Sequence, residues 1–326
     1  MSENKEKDFE KLEGITGHVW DEDLCEYNNP LPRWWLMAFY GTVIFSIGYW
    51  ILFPTWPLPN SYTKGFYTLK VEDEGVTTDR NWNSRVRLAN ELQTSPEAQN
   101  RTANLKKLSE MKPAEILQDP KMIQFARAVG KVTFGDNCAT CHNANAQGQI
   151  GMYPNLTDNA WLWGGKLEQI EETITRGRKG NMTPAKPEKG PANMTDDQIL
   201  DVSKYALSLS GNYSGDEEAL ERGEKLFYGR TPNACHTCHV NYASGSKEAK
   251  GNPLMGAPDL TDNIWEIVDI NSMTTPEEKL AAIIPHVENG VVPDTTHREM
   301  PSWKDRLTKE QIRALAVYVH QLGGGQ

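Results

Sequence analysis

The longest uninterrupted apolar run lies near the start of the chain. Residues Trp34 to Phe53 read WWLMAFYGTVIFSIGYWILF and contain no charge. A helix of that length matches the roughly 30 Å hydrocarbon core of a bilayer, so the pattern predicts a transmembrane helix over 34–53. Pro30 and Pro32 precede the run, and Pro54, Pro57 and Pro59 end it. Trp34, Trp35, Tyr49, Trp50 and Trp56 gather at its two ends, where interfacial aromatics sit. Gly41 and Gly48 suit the close approach of a neighbouring helix, or are simply tolerated. Residues 1–33 form an N-terminal segment whose first part, Met1 to Glu13, is polar and reads as a mobile tail. The apolar run starts too late and is too long for a signal peptide.

Beyond the run, residues 54–119 read as a polar linker. Helical stretches such as NSRVRLANELQ and ANLKKLSEMK predict a partly helical spacer.

From residue 120 onward the pattern repeats itself. Gly130-x-x-x-Phe134 has a counterpart in Gly223-x-x-x-Phe227. Pro154-Asn-Leu-Thr-Asp-Asn-Ala-Trp161 has one in Pro258-Asp-Leu-Thr-Asp-Asn-Ile-Trp265. Each half closes with an amphipathic helix that opens on a T-x-x-Q capping box, Thr195 to Gln198 and Thr308 to Gln311. Tyr205 and Tyr318 occupy matching places in these helices, and Gly211 and Gly323 end them. The Ser/Gly/Asn-rich stretch Ser210 to Asp216 marks the boundary, giving domains at 120–211 and 212–326. The fold class is therefore mainly α, with one N-terminal transmembrane helix ahead of two tandem, mostly helical domains. A length of 326 residues fits that division. The net charge of −10 argues against nucleic acid as a partner.

The chemistry sits in two five-residue stretches, Cys138-Ala-Thr-Cys141-His142 and Cys235-His-Thr-Cys238-His239. Each is C-x-x-C-H, the attachment sequence for c-type haem. Two thiols at this spacing add to the two vinyl groups on one edge of a porphyrin, and the adjacent His supplies an axial nitrogen. The rival is a zinc ribbon, whose two knuckles usually stand about 15–20 residues apart and need no following His. These two stand much farther apart, so the pattern predicts two covalently bound haem c groups. Haem c is attached outside the cytoplasm, which puts the N-terminus on the cytoplasmic side and both haem domains on the other. Local charge does not orient the helix, since Arg33 is balanced by Lys64 and Lys70. The fifth cysteine, Cys25, reads as a plain free thiol.

A Met thioether commonly completes such an iron. For the first haem the expected ligand is Met182, in a Gly/Pro loop, ahead of Met194; Met152 lies too close to His142. For the second it is Met300, followed by Pro301, with Met255 and Met273 as alternatives. His286 or His297 would instead give a bis-His site. The carbonyls of Pro154 and Pro258 are positioned to accept the second ring N–H of His142 and His239. Arg176 and Arg178 suit haem propionates or a solvated face. Trp161, Trp163 and Trp265 suit haem-crevice walls or plain core. No catalytic residue is expected.

Gly17-His18-Val19-Trp20-Asp21, Asn28-Asn29-Pro30-Leu31-Pro32-Arg33-Trp34-Trp35 and the single apolar helix together resemble the N-terminal segment of the FixP family, the di-haem subunit P of cbb3-type cytochrome c oxidases. Trp161-Leu-Trp-Gly-Gly165 and the ending Ala316-Val-Tyr-Val-His-Gln-Leu-Gly-Gly-Gly325 agree, and the resemblance covers essentially the whole chain. It implies two cytochrome c domains anchored by one pass in a bacterial inner membrane. It implies as partners a haem–copper catalytic subunit, a mono-haem c subunit, and a soluble or membrane-bound c-type cytochrome as electron donor. The chain would relay electrons toward oxygen reduction and proton pumping and not be an enzyme on its own. The departures are an extra residue in Met182-Thr183-Pro184-Ala185, the replacement of Trp-Leu-Tyr-Gly by Trp265-Glu266-Ile267-Val268, and insertions around Tyr242 to Asn252 and Ile267 to Pro276. Two other readings share part of this pattern: a membrane-anchored di-haem carrier serving another dehydrogenase or reductase, and a di-haem peroxidase, which would need one open iron position.

Overall fold

A computed structural model describes residues 14–20, 24–73, 75–186, 193–229, 234–242, 245–291 and 299–324. The chain divides into two compact units, Met1–Asn100 and Arg101–Gln326.

The first unit opens with an antiparallel hairpin, Ile15–Trp20 against Leu24–Tyr27. Helix α1 follows at Arg33–Leu52, one residue earlier at each end than the sequence expectation. Its mean hydropathy is 1.5 and none of its residues is buried. Among the described residues it is the one helix long and apolar enough to cross a membrane. Phe53 leaves the helix in extended backbone, and its ring meets Tyr67 and Trp82 at 5.6 and 5.0 Å. The return strand Thr68–Asp73 pairs with Val76–Asn81, and helix α2 (Ser84–Thr94) lies on that hairpin. Gln93 exchanges two hydrogen bonds with the Glu72 backbone, at 3.0 and 2.6 Å. The linker is thus helix plus hairpin and not a helical spacer alone. The period-two pattern of Leu69 and Val71 between polar neighbours is the signal for it.

The second unit is built from helices α3 (Pro96–Glu110), α4 (Pro120–Asn137), α5 (Leu167–Arg176), α6 (Asp196–Leu209), α7 (Glu217–Phe227), α8 (Pro276–Asn289) and α9 (Lys309–His320); α3 runs across the boundary between the two units. Asp119 caps α4 through the N–H groups of Lys121 and Met122, and Thr195 and Thr308 form the two capping boxes expected of them.

The apolar faces of these helices collect into two lobes. In one, Ala126 and Phe134 of α4 and Ile170 and Ile174 of α5 pack with Ile312, Leu315 and Val319 of α9. In the other, Ile199 and Val202 of α6 pack with Phe227 of α7, with Ile284 and Val287 of α8 against them. Each closing helix therefore leaves its own repeat and completes the other. Gly130 lets α9 approach α4 so closely that a Cβ there would run into the Ala314 carbonyl and, at 2.6 Å, the Tyr318 Cβ. Gly223 does the same for α6 on α7, against the Asp201 carbonyl and the Tyr205 Cβ. Phe134 meets Tyr318 at 5.4 Å between ring centroids, and Phe227 meets Tyr205 at 5.5 Å. Asp201 Oδ2 and Oδ1 accept from Arg222 Nε and Nη2 at 2.7 and 3.2 Å, tying α6 to α7. The largely buried pair of Arg313 Nε with Glu171 Oε2, 2.6 Å apart, ties α9 to α5.

The boundary expected at 211/212 therefore divides the sequence repeat but not the packing. The physical reason is the short connection. Residues 210–216 join α6 directly to α7, and Lys204 Nζ reaches Asp216 Oδ2 at 2.6 Å across that corner. Helices joined this tightly become neighbours, and α4 is left for α9.

Candidate functional site

The first C-x-x-C-H begins where α4 ends. Cys138 N–H donates to Phe134 O at 2.8 Å, and the short turn Ala139–His142 follows, with His142 N–H donating to Cys138 O at 2.9 Å. One helical turn thus presents Cys138, Cys141 and His142 together. The second motif repeats this: His236–His239 is a single turn, and His239 N–H donates to Cys235 O at 2.9 Å.

Each proximal histidine is fixed by a proline carbonyl. His142 Nδ1 lies 3.0 Å from Pro154 O, and His239 Nδ1 lies 3.2 Å from Pro258 O. A carbonyl only accepts, so Nδ1 carries the proton and Nε2 keeps its lone pair for a metal. Burial pushes both imidazoles below their ordinary value, with the proline carbonyl opposing, so both are neutral near pH 7. Gly148, at φ +62°, lets the chain pass under the Tyr153 and Pro154 carbonyls, and Gly251, at φ +78°, does so under Pro258. The two proline turns are pinned further by Leu156 N–H on Ala146 O and Leu260 N–H on Ala249 O, both 2.8 Å.

The residues fit haem c and do not fit a zinc ribbon. All four motif thiols are unpaired. Burial pushes the Cys138 and Cys235 thiols up to about 11. Among the described residues no three His, Cys, Asp or Glu side chains converge on a metal-sized point, so the two knuckles do not meet. The buried indole Nε1 atoms of Trp161 and Trp265, at matching places in the two repeats, have no acceptor among the described residues. Buried donors of this kind require an acceptor, and a haem propionate supplies one.

The methionines fall differently from their sequence order. Met300 is half-buried and packs in the first lobe, whose core also includes Cys138, Leu156 and Trp161. Its backbone pairs with Arg178, one residue beyond Gly177, the C-cap of α5. Met182 pairs with Val291, one residue beyond Gly290, the C-cap of α8 in the second lobe. The two arms are thus equivalent and crossed: Met300 lies in the lobe of the first motif and the Met182 arm joins the second, the opposite of the order expected from the sequence. Met194 is buried beside Cys235 and Val240, yet its counterpart just before the other capping box is Leu307, an apolar core residue, so the position serves packing. Met152 and Met255 are exposed, and Met273 packs under Trp265. His286 lies on α8, and His297 lies outside the described residues.

Arg176 points outward, with Nη1 3.6 Å from Glu172. Arg178 is half-buried, donates from Nε to Thr173 Oγ1 at 2.9 Å and lies 4.7 Å from the Trp163 ring centroid. The crossing of the arms is the feature that the sequence pattern does not reveal; the brevity of residues 210–216 is the signal that points to it.

Three family models match the chain in order. One described as the N-terminal domain of cytochrome oxidase-cbb3, FixP, matches residues 13–60. Cytochrome c matches 128–210, and cytochrome C oxidase, cbb3-type, subunit III matches 218–319. Among curated proteins, the chain is 38% identical over 319 residues to the Cbb3-type cytochrome c oxidase subunit FixP of Azorhizobium caulinodans, covering 95% of this chain and 93% of that protein. It is 37% identical over 334 residues to subunit FixP of Bradyrhizobium sp. (strain ORS 278), covering all of both. It is 35% identical over 317 residues to the Cbb3-type cytochrome c oxidase subunit CcoP of Cereibacter sphaeroides, covering 95% of both.

Proposed function

The chain belongs to the FixP/CcoP family of cbb3-type cytochrome c oxidase subunits, and from that premise we propose that it is the membrane-anchored di-haem electron-transfer subunit of such an oxidase. The observation that carries this reading is the pair of C-x-x-C-H turns, each with its histidine locked to a proline carbonyl, behind an apolar helix of membrane-spanning length.

Haem c, when bound, supplies a one-electron couple at each site. Cys138 and Cys141 hold the first group and Cys235 and Cys238 the second. His142 and His239 offer Nε2, held in the correct tautomer by Pro154 and Pro258. The crossed arms bring Met300 to the first site and Met182 to the second. A thioether from each of these methionines would leave neither iron open, which favours relay over peroxidase chemistry. The N-terminus lies in the cytoplasm and the second unit in the periplasm, because haem c is attached there. The partners are a haem–copper catalytic subunit, a mono-haem c subunit and a c-type cytochrome donor.

The test is purification from its own membrane in mild detergent. Two haems per chain, both low-spin, and a haem–copper oxidase in the same complex are expected. A chain that purifies without an oxidase, or that turns over peroxide, would overturn the proposal.

A further inference from the structure

Trp163 touches the surroundings of both haem sites. Its indole lies on the backbone of Gly256, where a Cβ would run into the six-membered ring. Gly256 takes φ +65° in the turn of a rigid hairpin, Lys250–Asn252 against Ala257–Asp259. That hairpin carries Pro258, whose carbonyl holds His239. The Arg178 guanidinium stands over the same ring, 4.7 Å from its centroid. Arg178 is the backbone partner of Met300. The indole is therefore in contact with the turn that fixes the proximal histidine of one site and with the arm that brings the sixth ligand to the other.

The contact is one-sided. The repeat counterpart of Trp163 is Ile267, and that of Gly256 is Met152. On that side the Gly151 N–H donates to Glu266 O at 2.7 Å. The duplicated fold does not require an aromatic here, since the other copy does without one.

We propose that Trp163 is a positioning residue for electron transfer between the two haem sites: in contact with both the Pro258 turn and the Arg178–Met300 arm, it sets their separation and their electronic contact. The proposal rests on the two-haem reading above. In the step concerned, one electron leaves the reduced iron of one site and arrives at the oxidised iron of the other. No bond forms or breaks, no proton moves, and the indole is neither oxidised nor reduced.

The experiment uses the full chain in mild detergent, with haem content counted first. Fewer than two haems in the parent protein would overturn the two-haem reading, and this proposal with it. Electron equilibration between the haems after photoreduction, and the separation of their two midpoint potentials, are then measured in Trp163→Leu and Trp163→Phe. Because loosening an ångström-scale placement is costly, the Leu variant should slow equilibration about tenfold and shift the separation of potentials, and Phe should recover most of both. Parent-like rate and separation in Trp163→Leu would overturn the proposal. If Trp163→Leu loses a haem ligand, Gly256→Ala decides, since its methyl would displace the ring without replacing a ligand. It should alter the same two quantities, and no change in either would overturn the proposal.

Discussion

Phe134 and Tyr318 meet with ring centroids 5.4 Å apart, although one leads into the first C-x-x-C-H and the other lies in the last helix of the chain. The same contact, between Phe227 and Tyr205, closes the other lobe. These two pairs record the exchange of closing helices, and on the proposed function the exchange would also decide which methionine each haem receives.

The ligand assignment is testable one haem at a time. In a chain carrying Cys235→Ala and Cys238→Ala, only the first haem remains. Met300→Leu in that background should lower its potential and open its iron to CO, while Met182→Leu should leave both unchanged. Visible spectra, CO binding and redox titration read the outcome. The reverse pattern would restore the ligands to sequence order.

Truncation gives a second check. A chain ending at Ser210 keeps Cys138, Cys141 and His142 but lacks α9 and Met300. It should attach haem covalently yet bind it without a methionine ligand, and it should melt without a cooperative transition. A native-like, Met-ligated spectrum from that fragment would contradict the packing described for α4 and α9.

Glycines on α4 should respond in opposite directions. Gly130→Ala drives a methyl into the Ala314 carbonyl, and overpacking of this kind costs about 1–3 kcal/mol. Gly135 on the same helix faces open space, with nothing within 4 Å of where a Cβ would stand. There the helix preference for alanine dominates, and Gly135→Ala should stabilise by about 0.5–1 kcal/mol. Gly223→Ala should behave like Gly130→Ala. Chemical denaturation of the haem-loaded protein measures all three.

Asp158 and Asp262 predict a pH dependence. Burial pushes both carboxyls above the ordinary value; the Asp262 charge adds to this at Asp158, and the Asp259 charge at Asp262. A carboxyl raised in the folded state contributes stability that is present below its unfolded pKa and is lost as pH rises through its folded pKa. Both groups therefore cost stability at neutral pH. Asn at either position keeps an oxygen for the Ala160 or Ile264 N–H, each accepted at 3.0 Å in the parent. Asp158→Asn and Asp262→Asn should melt at or above the parent temperature at pH 7, with the difference shrinking toward pH 4. A lower melting temperature at pH 7 would contradict the burial argument.

Much of this site is legible in the sequence because its parts are local. A C-x-x-C-H turn, a proline a short way downstream and a T-x-x-Q cap each act within a few residues, and the structure puts His142 on Pro154 and Thr195 on Gln198 where local chemistry requires. The crossing is not legible from the helix patterns. Tyr205 and Tyr318 carry the same signature, as do the Gly130/Phe134 and Gly223/Phe227 faces, so each closing helix fits either partner. Complementarity that is degenerate in this way leaves the choice to chain connection, and the short corner at 210–216 makes it. The hairpin at Thr68–Asp73 escapes notice for a different reason. Its alternation rests on only Leu69 and Val71 amid charge, too brief to stand out against the helical stretches around it.

The crossed arms also bear on heredity. In a simple tandem duplication, a later deletion can discard one copy and leave the other whole. Here a cut at the repeat boundary does not do so. Removing 212–326 takes the second pair of haem cysteines together with the lid and methionine of the first, and removing 120–211 takes the lid and methionine of the second. What one deletion can discard is the second lobe, which runs unbroken from Met182 to Val291 and enters and leaves the first through the paired strands Arg178–Lys179 and Glu299–Met300, so this chain sheds a lobe by losing its middle and not its end.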